Sequence, residues 1–158
     1  MRIFIAGTHT IDELPRPVKR QISAICDKGW QVLVGDYFGL DLAVQRYLVD
    51  MHYDAVTVYA PYGRAYNNLG DWLIKYITPA SDKVRLSKSA WKNLAMAESA
   101  DCGLMLWDGR SPLTLENIAY MARRGKPVTV WLGTTGRLYR LRGPGGLEKL
   151  LDLCEKRK

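Results

Sequence analysis

Three short stretches of this 158-residue chain concentrate glycine, hydroxyl and carboxylate side chains, the chemistry that recognises sugars and anions. The first is Gly7-Thr8-His9-Thr10. The second is Gly35-Asp36-Tyr37-Phe38-Gly39-Leu40-Asp41. The third is Asp108-Gly109-Arg110-Ser111-Pro112-Leu113-Thr114-Leu115-Glu116. Glycines such as Gly7, Gly35 and Gly39 let backbone amides approach a ligand closely, and a helix N-terminus directly after them favours negative charge. The hydroxyls of Thr8, Ser111 and Thr114 suit a phosphate or a ribose, and Asp36 or Asp41 can accept from ribose hydroxyls. Lys92 and Arg110 can neutralise phosphate oxygens, while Asn93 can hydrogen-bond a base or a ribose. Each residue also has a plain role open to it: Asp41, Ser111 and Thr114 stand about where helix caps belong, and Lys92 and Arg110 suit a solvated surface.

These stretches need elements to position them, and the apolar pattern supplies them. Residues 2–6, 31–34, 54–59, 102–107 and 127–132 are short apolar or β-branched runs with little alternation, as expected of parallel strands covered on both faces. Between them Leu14, Val18, Ile22 and Ile25 recur at helical spacing. So do Leu40, Ala43, Val44, Tyr47, Leu48 and Met51, and again Leu115, Ile118, Ala119 and Ala122. Pro17 is tolerated in the first turn of its helix, and Gly29 and Gly125 follow helices as stop signals. Alternating strands and helices imply right-handed βαβ crossovers. The expected fold is a three-layer α/β sandwich around a central parallel sheet of about five strands. The three polar stretches then fall at the C-terminal ends of strands, where ligands bind in open α/β sheets. Residues 60–88 read least clearly: Asp71 to Ile77 is expected as a short helix, Lys83 to Leu86 as a minor strand or loop, and Ser89 as the next helix cap.

Several chemistries are excluded by spacing. The chain has no G-x-G-x-x-G after its first strand, no G-x-x-x-x-G-K-[ST] and no G-x-S-x-G, so standard dinucleotide binding, a P-loop ATPase and a serine elbow are all disfavoured. Cys26, Cys102 and Cys154 are too few and too scattered for a disulfide framework or a zinc site, and read as thiols in a reducing cytoplasm. Neither a resident cofactor nor a metal is called for. No apolar run reaches bilayer length, so no membrane partner is expected. The net charge of +7 lies entirely in residues 123–158, which hold ten basic and three acidic residues; residues 1–122 are balanced. A uniformly basic nucleic-acid-wrapping body is therefore disfavoured, and nucleic acid ranks behind a small molecule as partner.

The order of these segments resembles the SLOG superfamily of Rossmann-like proteins, which includes YspA/YpsA-like proteins, the DNA-processing protein DprA and the cytokinin-activating LOG enzymes. The matching elements are Gly7-Thr8-His9 for a G-S-R strand end and Gly35 to Asp41 for a G-G-x-x-G-x-D loop. Lys92-Asn93-Leu94-Ala95-Met96 stands for R-N-x-x-M. Asp108 to Thr114 stands for D-G-x-S-x-G-T, and Gly125-Lys126-Pro127-Val128 for G-x-P-V. The resemblance spans about residues 1–132. It implies a nucleotide or nucleotide-derived ligand, held by Gly7, Thr8, Gly35, Asp36, Gly39, Asp41, Lys92, Asn93, Arg110, Ser111 and Thr114. Asp108 to Val128 also resembles nucleoside 2-deoxyribosyltransferases and nucleotide N-glycosidases. That likeness implies Glu116 as nucleophile and Asp108 as acid or ribose clamp, with Tyr37 or Tyr62 lining a base pocket. A first-turn glutamate stabilised by the helix dipole is the plainer reading of Glu116. The DprA likeness implies a DNA-associated alternative.

Residues 133–158 read as a basic C-terminal loop and short helix packed on the domain formed by residues 1–132. Arg137, Arg140 and Arg142 are placed to fold over the ligand edge, with Leu147, Leu150, Leu151 and Cys154 marking the helix. Tyr59, Tyr62, Tyr66 and Trp72 suit either base stacking or a homodimer surface. The leading expectation is a cytoplasmic protein that binds a nucleotide or a phosphorylated nucleoside-like molecule.

Overall fold

The computed structural model describes residues 1–78 and 87–156. Strands β1 (Arg2–Gly7), β2 (Gln31–Gly35), β3 (Val56–Pro61), β4 (Leu73–Ile77), β5 (Cys102–Trp107), β6 (Val128–Leu132) and β7 (Arg137–Leu141) form one sheet. Their order is β4-β3-β2-β1-β5-β6-β7. The first six are parallel, and β7 returns antiparallel to β6. Helices α1 (Arg16–Asp27), α2 (Leu40–Asp50), α3 (Lys88–Ser99), α4 (Pro112–Arg123) and α5 (Gly143–Glu155) complete the sandwich.

The five expected strands form the interior of the sheet, and the sheet is wider than expected by one strand at each edge. Asp71 to Ile77 is not a helix: Leu73–Ile77 pairs with β3 from Thr57↔Leu73 to Pro61↔Ile77. An edge strand buries little on either face, so β4 lacks the unbroken apolar run of its neighbours. Residues 137–141 likewise form a strand rather than a loop, because β6 continues through a tight turn at Gly136 instead of a helical crossover. Ser87, not Ser89, caps α3; its side chain accepts the Ala90 N–H at 3.1 Å. Lys83 to Leu86 lie outside the described residues, as do Arg157 and Lys158.

Two apolar layers flank the sheet. On one face Val18, Ile22 and Ile25 of α1 and Leu40, Val44 and Leu48 of α2 pack against Ile3, Ile5, Val32, Val34, Val58, Leu104 and Leu106. On the other, α3, α4 and α5 cover Phe4, Leu33, Met105, Trp107, Val130 and Leu132. The C-terminal segment is part of this second layer, since Leu141, Leu147 and Leu150 are buried there. No helix among the described residues is long and apolar enough to cross a membrane.

The order of strands decides where a ligand can enter. From β1 the chain steps outward to β4, then resumes at β5 on the opposite side of β1. The connections leaving β1 and β5 therefore diverge to opposite faces and leave a crevice at their C-terminal ends. Gly7 closes the bottom of that crevice. A Cβ there would sit 2.3 Å from the Leu106 carbonyl oxygen and 2.5 Å from a Leu40 methyl. Its small size serves the approach of α2 to the sheet. Gly145 in α5 meets nothing within 4 Å. Gly7→Ala is expected to lower the unfolding free energy by about 1–3 kcal/mol through overpacking. Gly145→Ala is expected to raise it by about 0.5–1 kcal/mol, because alanine loses less backbone freedom in a helix. Urea denaturation of the two variants checks both signs.

Candidate functional site

A cleft of about 470 Å³ opens at the switch point. Ala6, Gly7 and His9 lead into it from β1, and Tyr37, Phe38, Leu40 and Asp41 come from the β2–α2 connection. Ser89, Lys92 and Asn93 of α3 form a second wall, and Ser111 to Thr114 with Asn117 of α4 a third. Of the residues expected to bind a ligand, Gly7, Asp41, Lys92, Asn93, Ser111 and Thr114 line this cleft directly. Thr8 and Asp36 lie just beneath it.

The floor is ionic. Lys92 is buried, with its ammonium 3.2 Å from Asp36 Oδ1 and 3.4 Å from Asp41 Oδ2. The two carboxylates are further held by backbone donors: Tyr66 N–H reaches Asp36 at 2.9 Å, and Tyr37 N–H reaches Asp41 at 3.2 Å. Lys92 is thus a structural cation rather than a free phosphate ligand. One ammonium faces two carboxylates in a poorly solvated place. Burial pushes the Asp41 carboxyl above its ordinary value, against the pull of Lys92 and the Tyr37 N–H, and neighbouring Asp36 adds to the push.

Gly35 exists for this ion pair. A Cβ at Gly35 would stand 2.2 Å from Asp41 Oδ2 and 2.9 Å from the Lys92 ammonium. Gly39 caps α2 at φ 76°, and a Cβ there would fall 2.0 Å from the His9 carbonyl oxygen. All three expected cradle glycines face other parts of the chain.

The α4 wall is a hydroxyl network. Thr8 Oγ1 lies 3.4 Å from Thr114 Oγ1, which donates to Ser111 Oγ at 3.2 Å. Ser111 caps α4, with its oxygen 3.5 Å from Thr114 N. Asp108 folds back into its own loop, accepting the Arg110 and Ser111 N–H groups at 2.8 Å each. Partial burial pushes its carboxyl up, but the Ser111 and Arg110 N–H donors and the Thr8 hydroxyl outweigh that and hold it below its usual value. An ionised carboxylate occupied in this way does not serve as a general acid.

Glu116 is exposed and does not line the cleft. The turn of α4 explains this. Thr114, Asn117, Ile118 and Met121 face inward, and a residue two positions past Thr114 points about 200° away from it. The helix therefore presents Asn117, not Glu116, to the cleft. Asn117 sits three residues beyond Thr114 on the same stripe, a spacing from which it could have been found. Arg110 is exposed and also lies outside the cleft. Arg137, Arg140 and Arg142 do not converge on it either. Because β7 is antiparallel, only Arg137 ends beside the C-terminal end of β6, at Leu132; Arg140 pairs with Thr129, well down the strand.

Beside the cleft three exposed rings meet, Tyr37 edge to face with Phe38 and with Tyr66, and Phe38 tilted against Tyr66. Tyr37, Phe38 and Tyr66 have centroids 5.7–5.8 Å apart, and the Arg64 guanidinium lies 5.7 Å from the Tyr66 ring. Phe38 is 51% and Tyr66 52% exposed. Tyr62 is exposed and lies outside the cleft lining. The loop that carries Tyr66 is pinned by side-chain amides. Buried Gln45 donates to the Gly35 and Asn67 carbonyls at 2.9 and 3.1 Å and accepts the Leu69 N–H at 2.9 Å. Asn67 donates to the Asp36 carbonyl at 3.1 Å. Gln45 and Asn67 were missed by the sequence reading, since neither belongs to a motif or an apolar stripe.

No family model and no curated protein matches the chain. Among solved structures it is similar to DNA processing protein A from Helicobacter pylori, described for its single-stranded DNA binding mode. The two share 14% identity at a TM-score of 0.58, over 99% of this chain and 81% of that one. At that identity the likeness is one of fold: a Rossmann-like α/β sandwich.

Lys92→Met would strand buried Asp36 and mostly buried Asp41 without their cation. It is expected to cost about 3–5 kcal/mol at pH 7. Stranded carboxylates bind protons more tightly in the folded than in the unfolded chain, so the loss should shrink as pH falls. Asp41→Asn keeps the Lys92–Asp36 pair and removes the carboxyl whose value burial raises. That raised value is a penalty present in full above the folded-state pKa and gone below the ordinary carboxylate range. Asp41→Asn is therefore expected to be neutral or mildly stabilising at pH 7. Urea titrations at pH 7 and pH 5 test both variants.

Proposed function

We propose that the cleft binds a nucleotide or a nucleotide-derived small ligand, with the base stacked on the ring cluster and the sugar and phosphate along the α3 and α4 walls. The observation that carries this reading is the exposed ring trio, of which Tyr37 and Phe38 line the cleft and Tyr66 packs against both. Solvent-facing rings lose stabilising burial unless something covers them, and a base presents a flat π-face to do so. Inside the cleft, Asn93, Asn117 and the Ser111–Thr114 hydroxyls offer donors and acceptors for a ribose and a phosphate. Asp41 accepts from sugar hydroxyls and, as one of two carboxylates sharing a single ammonium, repels a phosphate placed against it. The phosphate therefore belongs on the α4 side, at the helix N-terminus.

An N-glycosidase reading has less support, because its nucleophile Glu116 faces solvent and Asp108 is held ionised by its own loop. Single-stranded DNA is the second reading. Arg64 stacked over Tyr66 extends the ring cluster beyond the cleft, as a platform for a continuous strand would require. The fold neighbour is also described as a single-stranded DNA binder. The balanced charge of residues 1–122 weighs against it.

Titration calorimetry with nucleoside monophosphates, and anisotropy with a labelled single-stranded oligodeoxynucleotide, separates the readings. A monophosphate should bind saturably, and Phe38→Ala should weaken it about tenfold or more, on stacking worth roughly 1–3 kcal/mol per base. Binding of the oligonucleotide alone, falling steeply with salt, would move the assignment to DNA. Binding of neither, or no effect of Phe38→Ala, overturns the role given to the rings.

A further inference from the structure

A second concave site lies at the opposite end of the sheet, by the N-terminal ends of β1, β5 and β6. Between β6 and β7 the chain makes a hairpin instead of a helical crossover, and α3, α4 and α5 all sit on one face. The other face is covered only by α1 and α2, which bury β5 fully but leave β6 and β7 partly open on that side. The result is a groove of about 230 Å³.

Register defines its floor. Ile3 pairs with Cys102, Leu104 with Thr129, and Thr129 with Arg140, so these side chains share one face across four strands. Gln21 and Ile25 of α1, with its C-cap residue Lys28 and Trp30, form one wall, and Arg142 closes the end. Ile3, Cys102 and Leu104 are already buried beneath the groove; its accessible apolar surface comes from half-buried Trp30 and exposed Met1, while Lys28, Arg140 and Arg142 supply three cations. Lys28 rests over the Trp30 ring at 4.8 Å. Among the described residues, none of the three forms an ion pair, and the nearby Asp101 carboxylate accepts the Arg2 N–H at 2.7 Å. Burial and Asp101 push the Cys102 thiol up, against the pull of the Met1 amino group and, less strongly, of Lys28.

We infer that this groove is a second binding site, independent of the switch-point cleft, for a small amphiphilic anion: a compact apolar body bearing one carboxylate or phosphate monoester. Three like charges around the hollow repel one another, and an anion relieves that repulsion while its apolar body lies against Met1 and the half-buried Trp30 ring. The planar forks of Arg140 and Arg142 suit bidentate contact with either acid group. The volume admits a single ring or a short acyl chain rather than a nucleotide.

The test is a ¹H–¹⁵N NMR titration of the full chain with phenylacetate, phenyl phosphate and neutral phenylacetamide. One or both anions should saturate shifts at the Trp30 indole N–H and the Leu104 and Thr129 amides, and which one does so identifies the acid group. Phenylacetamide should bind at least tenfold more weakly. The double variant Arg140→Gln/Arg142→Gln, altered only at exposed positions, should weaken the anions tenfold or more. Thr129→Trp should fill the floor and abolish binding with every charge in place. Asn93→Ala, in the other cleft, should change nothing. The inference is overturned by unsaturable shifts, by phenylacetamide binding as well as the anions, by an indifferent arginine double variant, or by shifts centred on the switch-point cleft.

Discussion

A single buried ammonium ties together the three parts of the chain that shape the switch-point cleft. Lys92 comes from α3, Asp36 from the end of β2 and Asp41 from the first turn of α2, more than fifty residues away in sequence. Removing charge from water is costly, and the arrangement holds only because each partner has further donors or neighbours to satisfy it. Those partners are informative. Tyr66 N–H and Tyr37 N–H bind the same carboxylates, so the ion pair that seats α3 also fixes the backbone of two of the three exposed rings. Gly35 is glycine because any side chain there would displace Asp41. Electrostatics at the floor and the geometry of the ring cluster are therefore one constraint, set by one lysine.

The position of the cleft follows from topology, while its lining follows from helix register. A parallel sheet that starts in the middle must turn its connections to opposite faces, and the crevice beside β1 and β5 is the consequence. Which side chains reach the crevice depends on the rotation of α4 about its axis. Thr114 and Asn117 face it and Glu116 does not, because the same stripe that packs Ile118 and Met121 into the core fixes the orientation of the whole helix. Core packing thus selects the site residues.

This separation explains what was legible in the sequence. Continuous apolar runs marked the five inner strands: β1, β2 and β5 are buried along nearly their whole length, and β3 and β6 keep their buried positions apolar. β4 and β7 were misread since edge strands bury only part of their surface: LIKYI carries Lys75, and RLYRL carries two arginines. The three polar stretches were correctly placed at strand ends, and six of the eleven proposed binding residues line one cleft. The remaining five lie outside its lining, in two physically distinct ways. Thr8, Gly35, Asp36 and Gly39 support the cleft from within the fold, and Arg110 points to solvent. Gln45 and Asn67, which hold the Tyr66 loop, left no trace in periodicity. Amide-to-backbone bonds impose no repeat on a sequence.

The fate of the glycines bears on what kind of ligand the cleft suits. Glycine-rich loops bind polyphosphates by baring consecutive backbone N–H groups toward the ligand. Here Gly7, Gly35 and Gly39 turn their bare sides to Leu106, Asp41 and His9, so the chain has used that freedom to pack against itself. The first residue of α4, Pro112, has no N–H to offer, and Ser111 already occupies the Thr114 N–H. An anion at this helix therefore meets a reduced set of donors, while rings, amides and hydroxyls are plentiful. Recognition in such a cleft rests on base and sugar more than on phosphate, and a long phosphate chain would extend its charge toward a floor where two carboxylates share one ammonium.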